Sequence, residues 1–226
     1  MDSLCWLFDL DNTLYQAGFG VFERINQAMT QYLMQHLRLS EYQASCLWER
    51  YWLDYGATLS GLIRHHPEID VNDFLANTHS LEQLLPCIVV ETGLHRGLSQ
   101  LKGKLFVFSN APHFYVQAVL KALHLESYFQ GIYGCDDLSW YCKPNALAYK
   151  SLFGRIEMAG IFPNHCILID DHRNNLKTAK KFGLRTVLLE SETSSVVGTE
   201  SFVDLVVPTV EALAEFQNYW LGRNVG

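Results

Sequence analysis

Two aspartates, Asp9 and Asp11, stand one residue apart where the apolar run from Leu4 to Phe8 ends. An unpaired charge buried in a core costs several kcal/mol, so such a pair must be solvated, paired or metal-bound. Further along, Ser109 and Asn110 close a second apolar run, Lys143 precedes a proline, and Asp170 with Asp171 closes a third. Gathering four carboxylates is electrostatically hard, since one like-charge contact near 4 Å costs on the order of 4 kcal/mol at an effective dielectric of about 20. A hard divalent cation relieves that repulsion, and Mg²⁺ characteristically takes a few carboxylates together with substrate phosphate oxygens. One lysine and one hydroxyl complete a set suited to holding a dianion. In an extended segment residues i and i+2 point to the same side, so Asp9 and Asp11 can face one substrate. One carboxylate, kept ionised by metal and lysine, can attack phosphorus. The other can protonate the leaving oxygen and later activate water.

These residues need strand ends to carry them. Strands are expected at Leu4 to Phe8, Lys104 to Ser109, Cys166 to Ile169, Arg185 to Leu189 and Leu205 to Val207. Helical periodicity marks Pro112 to Leu123, Asn145 to Ala159 and Asn174 to Phe182, the last ending at Gly183 with three lysines suited to the helix dipole. Strands alternating with helices predict an α/β fold: a Rossmann-like, three-layer core whose parallel sheet is covered on both faces. Open parallel sheets place ligands beyond their strand ends, where the four groups lie.

One interval breaks the alternation. About a hundred residues separate the first two strands, against roughly 30 for a whole βαβ unit. Phe22, Ile25, Met29, Tyr32, Leu33 and Leu37 keep a 3.6-residue period. Ser40-x-x-Gln43 is a capping-box match that opens a helix running to Tyr55, with Gly56 as its stop. Shorter helices are expected at Thr58 to His65, Asn72 to Thr78 and Leu81 to Leu85. The reading is an all-helical cap, residues 16–85, inserted into a catalytic core made of residues 1–15 and 86–226. The Ser/Thr/Gly-rich stretch Ser191 to Ser201 reads as a loop.

Composition narrows the partners. The 226 residues carry a net charge of −7 and 49% hydrophobic content, with no cationic cluster to follow a phosphate backbone. Polymeric nucleic acid is therefore not expected as a partner. The six cysteines have no metal-type spacing and suit buried thiols in a reducing compartment. No apolar stretch approaches the roughly 20 residues of a membrane span, so a cytoplasmic protein without a membrane or an obligate protein partner is expected.

The segments FDLDNTLY, FSNA, KP and LIDDHRNN resemble, in order, the four motifs of the haloacid dehalogenase (HAD) superfamily of phosphohydrolases. The resemblance covers residues 1–15 and 92–210. It implies that Asp9 is the nucleophile, Asp11 the general acid/base, and Ser109 and Asn110 the phosphate-binding pair. It further implies that Lys143 pairs with the nucleophile and the phosphate, with Thr13 and Asn175 in support. Mg²⁺ would be held by Asp9, the main-chain carbonyl of Asp11, and Asp171, with Asp170 either a direct ligand or one acting through water. The stretch YWLDYGATLSGLIRHHPEID within the insertion looks like the pyrimidine 5′-nucleotidase branch. That likeness implies a small phosphorylated metabolite as substrate, a nucleoside monophosphate such as UMP or CMP. Tyr55, Arg64, His65 and His66, which flank Gly56 and Gly61, are the expected cap contacts.

Other readings compete. Asp9 and Asp11 alone suit a turn after a strand, and Ser109-Asn110 alone suits an ordinary N-cap. Trp48, Tyr51 and Trp52 suit packing within the cap, and His172 and Arg173 suit the surface. A dehalogenase would not need an acid at position 11, having no phosphate ester oxygen to protonate. A phosphatase or phosphomutase of small sugar phosphates keeps every core residue. A phospho-acceptor switch protein also combines acids, a hydroxyl and a lysine, but needs neither Asp11 nor a cap.

Overall fold

The computed structural model describes residues 4–18, 20–157, 160–190, 196–197 and 200–222. The last residues of the helix expected to reach Ala159, and most of the loop expected at Ser191–Ser201, lie outside that set. Among the described residues seven strands form one sheet: β1 (Cys5–Phe8), β2 (Lys104–Phe108), β3 (Gly131–Tyr133), β4 (Cys166–Asp170), β5 (Arg185–Leu189), β6 (Val196–Val197) and β7 (Leu205–Val207). Their order is β3-β2-β1-β4-β5-β7-β6. Every pair is parallel except β6 with β7, at the edge. β1 lies at the centre, with Phe8 opposite Val107 of β2 on one side and Ile169 of β4 on the other.

The five strands read from the sequence are all present. β3 and β6 are additions, three and two residues long, too short to show a periodicity of their own. Side chains alternate across a strand, and the two faces of the sheet divide accordingly. Trp6, Phe8, Val107 and Ile169 face one layer, built from α6 (Leu94–Gln100), α7 (His113–Ala122) and α10 (Val210–Gly222). Cys5, Leu7, Phe108 and Leu168 face the other, built from α8 (Ala146–Ile156) and α9 (Arg173–Lys181).

Between β1 and α6 the chain is helical: α1 (Val21–Leu37), α2 (Glu41–Tyr55), α3 (Thr58–His65), α4 (Val71–Thr78) and α5 (Leu81–Leu84). The capping box at Ser40 is formed, with Ser40 Oγ accepting from the Gln43 amide and Gln43 Oε1 accepting from the Ser40 amide. These helices gather their own apolar cluster around Leu33, Tyr51, Leu62 and Phe74, which Cys135 and Cys142 join from the sheet side. All six cysteines are free thiols, as expected, but only Cys5, Cys135, Cys142 and Cys166 are buried; Cys87 is half-buried and Cys46, on α2, is exposed. Among the described residues no helix is long and apolar enough to cross a membrane.

Two features join the helices to the sheet. Gly56 ends α2 at φ +80°, and a Cβ there would lie 2.1 Å from Pro144 Cδ and 2.9 Å from the Lys143 carbonyl oxygen. A side chain at that position would meet both strain and collision, so glycine is what lets α2 end against the Lys143-Pro144 peptide. The second feature is a pair of backbone bridges, from Asp11 to Tyr15 and from Tyr15 to Val90. The chain therefore leaves and re-enters the sheet at adjacent points.

Candidate active site

Three adjacent strands deliver the acidic and hydroxyl groups. Asp9 follows β1, and its amide donates to the Ile169 carbonyl at 2.9 Å, extending the β1–β4 ladder by one rung. Ser109 follows β2, its amide donating to the Tyr133 carbonyl at 3.0 Å. Asp170 is the last residue of β4. Lys143 enters from the loop before α8, and its main chain is clasped by Asn110. The Asn110 carboxamide accepts from the Lys143 amide at 2.7 Å and donates to the Lys143 carbonyl at 2.9 Å. The Asn110 side chain is thereby held against the lysine, with one carboxamide N–H and its main-chain amide left for an anion.

Lys143 Nζ donates to Asp9 Oδ1 at 2.8 Å and to Asp170 Oδ2 at 2.7 Å, with Lys143 and Asp170 fully buried. Asp170 is further held by Asn175 Nδ2, at 2.9 and 3.0 Å to its two oxygens, and by the His172 amide at 2.9 Å to Oδ1. Asn175 is positioned in turn by Tyr149, whose hydroxyl donates to its carbonyl. Asp171 accepts a long bond of 3.4 Å from Asn12. Asn12 takes a left-handed conformation at φ 58°, which its residue type tolerates. Ser109 Oγ accepts from the Ala111 amide at 3.0 Å, so its own hydrogen is available to a ligand. Thr13 is buried, and its hydroxyl has no partner among the described residues.

The charges do not balance within the protein. Burial drives Asp9 well above the usual carboxylate range, and the crowding of Asp170, Asp171 and Asp11 adds to it, against the pull of Lys143. Burial opposes the charge on Lys143 too, but Asp170 and Asp9 together outweigh it, and the ammonium is held beyond its ordinary range. Burial, and then the neighbouring Asp170, push Asp171 up to about 6.

Carboxylate oxygens of Asp9, Asp170 and Asp171 all lie within 4.8 Å of one another. An all-oxygen donor set carrying this much unbalanced negative charge fits a hard divalent cation such as Mg²⁺. The pH dependence of that fit has a definite sign. The Asp171 carboxyl binds its proton more tightly in the folded chain than at its ordinary value of 3.8. It thus contributes stability below about pH 4 that is lost as pH rises through about 6, where the bare carboxylate is free to take a cation in the proton's place. The rise in melting temperature on adding Mg²⁺ should grow from pH 5 to pH 7. A shift that is the same at both pH values would remove Asp171 from the ligand set.

Above these groups lies a cleft of about 500 Å³. Asp9, Asp11, Asn110, Asp171, His172 and Asn175 line it from the sheet side. Phe22, Ile25, Met29, Trp48, Trp52, Phe74, Leu75 and His79 line it from the helices. The cap contacts expected from the sequence are elsewhere. Tyr55 bonds His65 at 2.6 Å, Tyr51 bonds His66 at 3.0 Å, and Arg64 lies over the Tyr55 ring, so Tyr55, Arg64, His65 and His66 all belong to the α2–α3 packing. The reason is helical phase. Trp48 and Trp52, one turn apart, share the face of α2 that meets the cleft, while Tyr51 and Tyr55 share the face that meets α3. The tryptophans are thus cleft lining as well as packing. His172 is only partly exposed, against expectation, and sets its ring edge-on to Trp52 across the cleft. Sequence reasoning also passed over Tyr15, whose hydroxyl donates to Asp11 Oδ1. Its i+4 spacing from Asp11 was the one available signal.

A family model described as haloacid dehalogenase-like hydrolase matches residues 5–183. Phosphate metabolism protein 8 of Saccharomyces cerevisiae is 26% identical over 198 residues, covering 81% of this chain and 60% of that protein. The chain therefore spans about three fifths of the yeast relative's length. Phosphoglycolate phosphatase 1 of Pseudomonas aeruginosa is 25% identical, with 81% of this chain and 68% of that protein covered. Among solved structures, a HAD phosphatase from Thermococcus onnurineus superposes with TM-score 0.65 at 21% identity, covering 96% of this chain and 97% of that one. An L-2-haloacid dehalogenase from Xanthobacter autotrophicus superposes with TM-score 0.61 at 15% identity, covering 97% and 99%. At these identities the superpositions establish a shared fold.

Proposed function

The chain belongs to the haloacid dehalogenase-like hydrolases, and on that premise we propose that it hydrolyses phosphomonoesters through an aspartyl-phosphate on Asp9. In this reading residues 1–15 and 86–226 are the catalytic core and residues 16–85 the cap. Lys143 orients the Asp9 carboxylate and the incoming phosphoryl group. The Asp9 oxygen bonds to phosphorus as the ester bond breaks, and Asp11 gives its proton to the leaving oxygen. Ser109 Oγ and the Asn110 amide hold phosphoryl oxygens. In the second half Asp11 takes a proton from water, the water oxygen bonds to phosphorus, and the Asp9–phosphorus bond breaks. We assign Asp9, Asp171 and the Asp11 carbonyl as direct ligands of Mg²⁺. Asp170 is assigned as an anchor for Lys143, because both its oxygens already accept bonds from protein donors. When bound, the cation supplies positive charge against the carboxylates and the phosphoryl oxygens.

For the substrate we propose a pyrimidine nucleoside 5′-monophosphate, UMP or CMP in type. One observation carries this: the cleft wall beyond the phosphate end is aromatic and apolar and presents no lysine or arginine among its lining residues. Of its two histidines, burial pushes His79 down to about 4, leaving it uncharged at neutral pH. Glu49 adds negative charge. A leaving group with its own carboxylate, such as glycolate, finds no countercharge here, while a flat neutral base can stack. Base–aromatic stacking is worth about 1–3 kcal/mol per base, so kcat/KM for UMP or CMP should exceed that for phosphoglycolate by roughly tenfold or more. A phosphate-release panel spanning nucleotides, phosphoglycolate and sugar phosphates tests this. Preference for phosphoglycolate would overturn the nucleotide assignment, and isomerised sugar phosphate without free phosphate would overturn hydrolysis.

A further inference from the structure

The proton donor of the proposed reaction is tethered to a buried pair of hydroxyls. Tyr15 donates to Asp11 Oδ1, and the Tyr15 and Tyr115 hydroxyls are 2.8 Å apart. Both side chains are almost wholly buried, at 1% and 0% exposure. A phenol has one hydrogen to give. With that of Tyr15 committed to Asp11, the bond between the tyrosines runs from Tyr115 to the Tyr15 oxygen. The chain thus has a direction, Tyr115 to Tyr15 to Asp11.

Its ends are fixed by separate elements. Tyr115 sits in the first turn of α7 among the buried residues of the sheet's first face. Tyr15 is bridged through its backbone to both Asp11 and Val90. His79, at the end of α4, sets its ring edge-on to Tyr115 with centroids 5.3 Å apart. The sheet, the helical layer and the segment joining them therefore all converge on one carboxylate.

We infer that Tyr15, supported by Tyr115, is a positioning residue that fixes the orientation of Asp11 for proton transfer to the leaving oxygen. The inference rests on the proposed role of Asp11. The bond occupies Oδ1 and so restricts rotation of a short side chain that lines the cleft, which is the requirement for proton transfer along a defined path. Burial keeps both phenols protonated far beyond neutral pH, so the hydroxyls remain donors. The competing account is that the two hydroxyls merely satisfy one another in the core.

Leaving-group chemistry separates the accounts. An alkyl phosphate needs its departing oxygen protonated, whereas p-nitrophenyl phosphate leaves as a stable anion and needs little help. Single-turnover release from both is to be measured for the wild type and for Asp11→Asn, Tyr15→Phe, Tyr115→Phe and the double tyrosine variant. The alkyl phosphate is the best substrate of the panel above, and folding is checked by circular dichroism. Tyr15→Phe should slow alcohol release by roughly tenfold or more, with KM little changed, yet alter p-nitrophenolate release by less than about threefold. Tyr115→Phe should act in the same direction more weakly, and the double variant should be no slower than Tyr15→Phe, because the two residues act in series. Equal slowing of both substrates by Tyr15→Phe, or effects of the two tyrosines that multiply, would overturn the inference. If Asp11→Asn itself slows both substrates equally, the failure lies in the role of Asp11. If it slows only the alkyl phosphate while Tyr15→Phe slows neither, the failure lies in the positioning role alone.

Discussion

Asp9→Asn should keep the fold and lose roughly 10⁴-fold or more of kcat, the scale on which removing a catalytic nucleophile acts. The carboxamide matches the carboxylate in shape, and its oxygen can still accept from Lys143 Nζ. It is a poor nucleophile, and no other carboxylate occupies the same place. Asp170 is pinned by Lys143, Asn175 and the His172 amide, and Asp11 by Tyr15. The substitution also removes one of the charges crowding the site, the same crowding that drives Asp9 upward in pKa. Without Mg²⁺ the variant should therefore melt at or above the wild-type temperature. Phosphate release and a thermal melt check the two halves of this result, and activity within tenfold of wild type would refute Asp9 as the nucleophile.

Lys143→Met should damage folding and turnover together. The ammonium is 1% exposed and sits between Asp9 and Asp170, with the Phe108 ring 5.0 Å from Nζ. Methionine fills much of the volume but leaves both carboxylates without their cation. Removing one partner of a buried ion pair costs about 3–5 kcal/mol. That is a large share of the roughly 5–15 kcal/mol by which a domain is stable. The loss should be greatest in chelator and partly recovered in Mg²⁺, since a divalent cation supplies some of the missing positive charge. Turnover should fall by roughly 10²–10³-fold, as for loss of one oriented donor to a transition state. Urea unfolding with and without Mg²⁺, beside steady-state kinetics, provides the check. Unchanged stability in chelator would refute the pairing of Lys143 with Asp9 and Asp170 as a source of stability.

What could be read from the chain alone follows the range of the interactions involved. Asp9, Ser109 and Asp170 were legible because each ends an apolar run, and strand ends in a parallel sheet converge without further instruction. The capping box at Ser40 was legible because both of its bonds are local. Gly131–Tyr133 was not, since among the described residues it pairs only with β2 and it is three residues long. α6 follows Gly93, an N-cap residue in a left-handed conformation with no side-chain cap, so it announces itself weakly. The cap contacts went astray for a different reason. Gly56 correctly marked the end of α2, but which of its aromatic residues meets the cleft depends on how α3 packs, and Trp48 and Trp52 win that place over Tyr55. Tyr15 and Tyr115 are 100 positions apart, and their pairing is a product of the fold.

The bridge between Tyr15 and Val90 has a consequence for how such a protein can change. A long excursion whose two ends are already neighbours leaves the sheet facing the same closure whatever the excursion contains, and closure cost rises only slowly with length. The segment between the bridge points is in that sense a cassette. A replacement should leave β1, β2 and β4 in place provided that it keeps Gly56 against Lys143-Pro144 and His79 against Tyr115, the contacts it makes with the site. On the proposed function, a chimaera joined at positions 15 and 90 that keeps those two contacts should retain phosphate release while its preferred leaving group follows the inserted segment.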